Sequence, residues 1–321
     1  MNKTYLKKKP KNQHWVPVSY INYFSIPETR YTEKPKAWIF SKDSGEPRSV
    51  PLRTFAKKKY LYSPQNQEGK RSWETEDKLG SLESLMGRLW PLFENNLIDF
   101  EGDETLKKSL ALFISTLYLR HPSNIDNIKR IHGKLVSFYE TLPMDEAGNP
   151  LLEEVIYQDK TYQFDNLNYD KYKSANKNEL QKMFVNFLNS EATHCTEILL
   201  QKRWSIIFSE LPLFITTDKP VVVINRERDT FGLKTKCTII IFPINPRRVL
   251  VLDDMYHEPN GRYYPLGKEG PGPINLNLWR NAENFMVSPR HTDQVCAEML
   301  AWADRFPRSQ VVLGKPNAHK A

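Results

Sequence analysis

Trp204-Ser205-Ile206-Ile207-Phe208, Leu213-Phe214-Ile215-Thr216, Val221-Val222-Val223-Ile224, Thr238-Ile239-Ile240-Ile241-Phe242 and Val249-Leu250-Val251-Leu252 follow one another between residues 204 and 252. Each run is short, rich in β-branched or aromatic residues, and bounded by Pro, Asn, Asp or Gly. That is the pattern of strands separated by turns. A mostly antiparallel sheet over about 203–253 is the reading on which the fold turns.

Upstream of the sheet the apolar period changes from two to three and four. Leu79, Leu82, Met86, Leu89 and Phe93 mark one helix, with Ser72 as its cap and Glu74, Glu76 and Asp77 in its first turn, where acids suit the helix dipole. Leu106, Leu110, Phe113, Ile114 and Leu117 mark a second, stopped by Arg120-His121-Pro122. Residues 125–142 and 177–202 read as two more, and Val155-Ile156-Tyr157 as a strand. Nearer the N-terminus, Gln13–Phe24 reads as extended around Pro17, Lys36–Phe40 as a short strand ended by the Lys42-Asp43-Ser44-Gly45 turn, and Val50–Tyr62 as a strand or extended segment. Beyond the sheet, 257–274 reads as a Gly- and Pro-rich loop. Helices around Leu276–Met286 and Thr292–Asp304 then close the chain.

Strands, helices, strands and helices in that order predict an α+β fold, with an N-terminal extended segment and a helical bundle packed on the sheet. The expected organisation is a basic flexible arm over 1–12, one α+β domain over 13–305 and a tail over 306–321. Within the domain the helical part spans about 72–202 and the sheet-rich part about 203–305.

The chain of 321 residues is 40% hydrophobic and 12% aromatic, which excludes disorder as a whole. Cys195, Cys237 and Cys296 are sparse and lack metal-ligand spacing, so a reducing, cytoplasmic setting is expected. No apolar run approaches a membrane span, the first residues carry no secretory pattern, and no membrane partner is expected. The net charge of +8 is uneven: residues 1–73 hold 16 Lys and Arg against 5 Asp and Glu, and the remainder 30 against 33. Lys7, Lys8, Lys9, Lys11, Lys57, Lys58 and Lys59 carry much of that excess. They suggest an anionic partner, nucleic acid first, or else a solubilising surface.

Three charged residues stand at the edge of apolar stripes. Glu76 and Glu83, seven apart, fall on nearly the same helix face beside Leu79 and Met86, and Arg120 relates likewise to Phe113. Such charges are half-buried ion pairs or parts of a site. Phe214-Ile215-Thr216-Thr217-Asp218-Lys219-Pro220 places an aspartate at a strand end, as a turn cap or as a rigidly held functional group. Arg130-Ile131-His132 and Arg290-His291 lack the spacing of ribonuclease motifs, and phosphate-loop, dinucleotide, zincin and nucleophile-elbow motifs are absent from the sequence.

Gln13-His14-x-Val16-Pro17-x-x-Tyr20 with Phe24, Glu76-x-x-Leu79-x-x-x-Glu83, Arg120-x-Pro122, Phe214–Val221 and Phe242-Pro243-Ile244-Asn245-Pro246 together resemble the bacterial "domain of unknown function 4238" family over about 13–290. Members more often show Ser at the position of Thr217 and Asn at that of Lys219. The family name assigns no activity, so the resemblance implies a fold unit and a residue set. If that set converges, its inventory suits metal-assisted phosphodiester hydrolysis on RNA or DNA. Glu76, Glu83 and Asp218 would be ligands for Mg or Mn, His14 ligand or general base, and Arg120 a transition-state clamp. His14, Arg120, Glu83 and Asp218 would then be the catalytic residues. Two alternatives stand beside this nuclease-like hydrolase: a non-catalytic nucleic-acid-binding or sensor module, and an enzyme acting on a nucleotide or other anionic small molecule.

Overall fold

The computed structural model describes residues 9–94, 99–100, 102–148, 151, 154–157, 160–163 and 173–305. In chain order the first elements are β1 (Asn12–His14), α1 (Val18–Ile21), β2 (Lys36–Ser41), β3 (Pro47–Pro51) and β4 (Lys57–Lys59). Then come α2 (Glu74–Glu94), α3 (Glu104–Leu119), α4 (Ser123–Tyr139), β5 (Glu154–Tyr157), β6 (Lys160–Gln163) and α5 (Lys177–Gln201). The remainder is β7 (Arg203–Phe208), β8 (Thr216–Thr217), β9 (Val222–Asn225), β10 (Thr238–Asn245), β11 (Arg248–Asp253), β12 (Arg262–Pro265), α6 (Gly272–Asn281), β13 (Phe285–Ser288) and α7 (Thr292–Arg305). The fold is α+β.

The continuous apolar runs form a five-stranded sheet in the order β12-β7-β11-β10-β9. All its pairings are antiparallel except β12 with β7. The runs are unbroken because both faces are covered. Alternate residues point to opposite faces, so Ile240, Phe242, Leu250 and Leu252 join Trp90 and Phe113 in one core, and Ile241, Val222 and Val249 join Leu276, Trp279 and Met299 in a second. The sheet is thus a middle layer, with α2, α3 and α5 on one side and α6 and α7 on the other. Gly272 admits the close packing of α6 on α7: a Cβ there would stand 2.8 Å from the Trp302 Cβ.

Five segments differ from the sequence reading. Gln13–Phe24 is extended only through β1. It then turns into α1, because Pro17 sits just before the helix (φ −59°) and not inside it. Val50–Tyr62 is broken by a 3-10 turn at Leu52–Thr54. The Leu213–Thr216 run leaves the main sheet: β8 belongs to a second, four-stranded sheet in the order β3-β2-β13-β8. That sheet takes its centre from β13, where a helix was expected to continue to Met286. The 257–274 loop holds β12, an edge strand. Among the described residues no helix is long and apolar enough to cross a membrane. The expected tail over 306–321 and most of the arm lie outside the described residues.

Candidate functional site

The N-terminal segment reaches the site as a strap. β1 pairs antiparallel with β4, so Asn12, Gln13 and His14 face Lys59, Lys58 and Lys57. Gln13 turns inward, where its amide donates to Ser63 Oγ at 2.7 Å and its Oε1 accepts from the Tyr62 amide at 2.7 Å. Past Pro17, Tyr20 wedges between helices and sheet. Its ring stacks on Phe242 with centroids 5.4 Å apart, and its hydroxyl donates to the Pro243 carbonyl at 2.7 Å.

Arg120 ends α3 at 1% exposure and spends its guanidinium on that strap. Nε donates to the Trp15 carbonyl at 2.7 Å, Nη2 to the His14 carbonyl at 3.0 Å and Nη1 to Glu83 Oε1 at 2.9 Å. A buried guanidinium needs this many acceptors to offset its lost hydration. Arg120 is therefore a structural bolt behind the site, and it does not line the pocket in which the transition-state role expected of it would act.

Asp218 is likewise committed, at 1% exposure. Its carboxylate accepts from the Glu283 and Asn284 amides at 3.0 and 2.8 Å and from Asn284 Nδ2 at 2.8 Å. It fastens β8 to the turn before β13, which is the turn-cap reading. His121 does not face solvent: it is 3% exposed, with Nε2 3.9 Å from Asp218 Oδ2. Asp218 does not line the pocket that holds Glu76 and Glu83. Among the described residues, no three of His, Cys, Asp and Glu gather as a metal-ligand group.

His14, Glu76 and Glu83 do converge. They line a pocket of about 1330 Å³ between the strap and the outer face of α2, together with Lys9, Asp77 and Arg88. Glu76 makes no hydrogen bond or ion pair among the described residues. Its carboxyl is pushed up to about 7, first by burial and then by the neighbouring Glu83 carboxylate. His14 is held below the usual imidazole range by burial and by the Lys57 ammonium, which favours the neutral ring. At the strap end Lys9 bonds to Asp77, and Asp77 is in consequence neutralised. With Lys9 paired to Asp77 and Glu83 to Arg120, the charges left in the pocket wall are the Arg88 guanidinium and the partly protonated Glu76 carboxyl.

A family model described as "Protein of unknown function (DUF4238)" matches residues 12–306. The chain belongs to the DUF4238 family. No curated protein and no solved structure matches it. In this DUF4238 chain the motifs that carry the family resemblance bond to one another. Arg120 reaches the strap and Glu83, Tyr20 meets Thr216 Oγ1 at 2.8 Å, and Trp15 Nε1 donates to the Asp218 carbonyl at 3.1 Å. Most of the signature is the latch that joins strap, helices and sheet.

Of the basic residues, Lys57, Lys58 and Lys59 lie on β4 beside the strap and Lys9 at the pocket. Lys57 donates to the Arg53 carbonyl at 2.7 Å. Lys11 is exposed one residue before β1, and Lys7 and Lys8 lie outside the described residues. Sequence reasoning missed Gly80, Ser84 and Gly87, which line the pocket between the acids and Arg88. Their spacing of four, eight and eleven from Glu76 was the available signal, since those positions share its helix face.

Proposed function

We propose that the pocket between the strap and α2 is the active site of a phosphodiester-cleaving enzyme acting on RNA or DNA, with Glu76 as the group that transfers the proton. The observation that carries this reading is Glu76 itself: a carboxyl without a bonding partner, raised to about 7, in the wall of a pocket. Such a group exchanges protons at neutral pH and suits acid–base work. His14, kept neutral in the same wall, is the second group able to accept a proton. The lysines of β4, with Lys11, supply the attraction for a polyanion. Mg or Mn would be held here by Glu83 and water, since Glu76 cannot both ligate the ion and carry the proton. Asp218 would serve only through the turn it holds.

The test is cleavage of a labelled panel of RNA and DNA strands, with and without Mg or Mn, by the wild type and by Glu76→Gln. The proposal expects cleavage that Glu76→Gln abolishes while the far-UV spectrum stays unchanged. A wild type that binds strands and cuts none favours the second reading, a non-catalytic nucleic-acid-binding or sensor module. That reading draws on Arg120 and Asp218, whose side chains are spent on holding the fold.

A further inference from the structure

We infer that the pocket takes an extended anionic chain, a single strand of nucleic acid several nucleotides long, with Arg88 seating a phosphate remote from Glu76. The inference rests on the reading of the pocket as a phosphodiester site and adds the length of its substrate and the residue that measures it.

Glu76 and Arg88 both line the pocket, and both lie on α2. They stand twelve positions apart, which is about 18 Å along a helix axis at 1.5 Å per residue. A single nucleotide cannot span that distance, whereas a strand presents a phosphate at every nucleotide and can meet both ends. Arg88 is exposed and makes no ion pair or hydrogen bond among the described residues. It therefore differs from Arg120, whose guanidinium is bound on three sides. A free guanidinium at the end of a groove offers a planar fork that fits a phosphate.

Between the two ends, beside Leu79 and Glu83, the floor has small residues. Gly80, Ser84 and Gly87 line it, and a Cβ built on either glycine meets no heavy atom within 4 Å. Packing therefore does not require glycine at either position. Glycine weakens a helix relative to alanine, so two of them on the open face of α2 oppose local stability. Their effect is to leave room for a ligand against the helix backbone. The Ser84 hydroxyl between them donates to the Gly80 carbonyl at 2.8 Å, so it offers a ligand only acceptor lone pairs.

The experiment measures fluorescence anisotropy of the full chain with labelled strands of two, four, six and eight nucleotides, at fixed salt, and with a poly-glutamate peptide of matched charge. It compares the wild type with Arg88→Ala, Gly80→Leu and Gly87→Leu. Affinity of the wild type should rise with strand length and level off once the groove is spanned. Arg88→Ala should weaken the eight-nucleotide strand by roughly tenfold, the scale of one charge-assisted contact, and leave the dinucleotide unchanged. The two leucine variants should melt no lower than the wild type and bind the long strand more weakly. Equal wild-type affinity for two and eight nucleotides, an equal loss for both in Arg88→Ala, or tighter binding of the peptide would overturn the inference. In each of those cases cleavage through Glu76 would remain standing. Length-dependent binding without cleavage would uphold the groove and remove the catalytic reading. Absence of binding to any strand would remove both.

Discussion

Glu83 Oε1 accepts a hydrogen bond from Arg120 Nη1 at 2.9 Å, with Arg120 1% exposed and Glu83 31% exposed. The pair joins α2 to the end of α3, and the same guanidinium ties both to the strap carbonyls of His14 and Trp15. Removing one member leaves the other without its main partner. Glu83→Ala is expected to lower unfolding free energy by about 3–5 kcal/mol, the scale for breaking a buried pair. Arg120→Lys should recover only part of an Arg120→Ala loss, because an ammonium cannot reproduce the three-way fork. Urea titration measures both.

Asp218→Asn tests the division between latch and pocket. The carboxylate accepts three N–H groups. An amide offers one oxygen and turns a donor toward the remaining amides. A loss of about 2–4 kcal/mol is expected from unsatisfied buried donors. Thermal unfolding checks the loss. In protein that stays folded, strand affinity at the Glu76 pocket should be unchanged. A stable Asp218→Asn protein that has lost binding would place Asp218 in the site after all.

Glu76 sets a pH dependence whose sign follows from its raised carboxyl. The folded form holds its proton up to about 7, whereas an unfolded Glu releases it near 4.3. The folded state thus binds more protons between those values, and stability is lost as pH rises through that window. Glu76→Gln removes the titration. Wild type and variant should differ least below about pH 4 and diverge up to about pH 8, with the variant the more stable there. Melting temperatures across that range measure the divergence. A constant difference would mean that Glu76 titrates normally.

Salt dependence reports the lysines of β4. Replacing Lys57, Lys58 and Lys59 by alanine should flatten the slope of log affinity against log salt for a single strand by up to about 2, given about 0.7 per phosphate contact. An unchanged slope would return these residues to the role of a solubilising surface.

The sheet was legible because β7, β10 and β11 are buried on both faces and so read as unbroken apolar runs. β12 was not, since an edge strand among Gly and Pro needs only one partner and little apolar sequence. β13 is four residues separated from α6 only by the turn over 282–284, and its identity comes from its partners β2 and β8, which are distant in sequence. The helical stripe was legible at Leu79, Met86, Leu110, Phe113 and Leu117, all of them buried. In the site, the spacing of Glu76 and Glu83 revealed a shared face because helix geometry fixes it locally. Asp218 could not be sorted in the same way. A strand-end carboxylate looks alike in sequence whether it caps a turn or faces a cavity, and here the deciding partners, Glu283 and Asn284, lie more than sixty residues on.

The most direct test of Glu76 as the proton-transfer group is the pH dependence of strand cleavage, as kcat/KM from pH 5 to 9, for the wild type and Glu76→Gln. The wild-type profile should bend near pH 7, where the carboxyl titrates. The variant should fall by at least about a hundredfold, the scale of lost acid–base catalysis, and show no bend there. A folded Glu76→Gln protein that cleaves at the wild-type rate, with the same bend, would contradict the account.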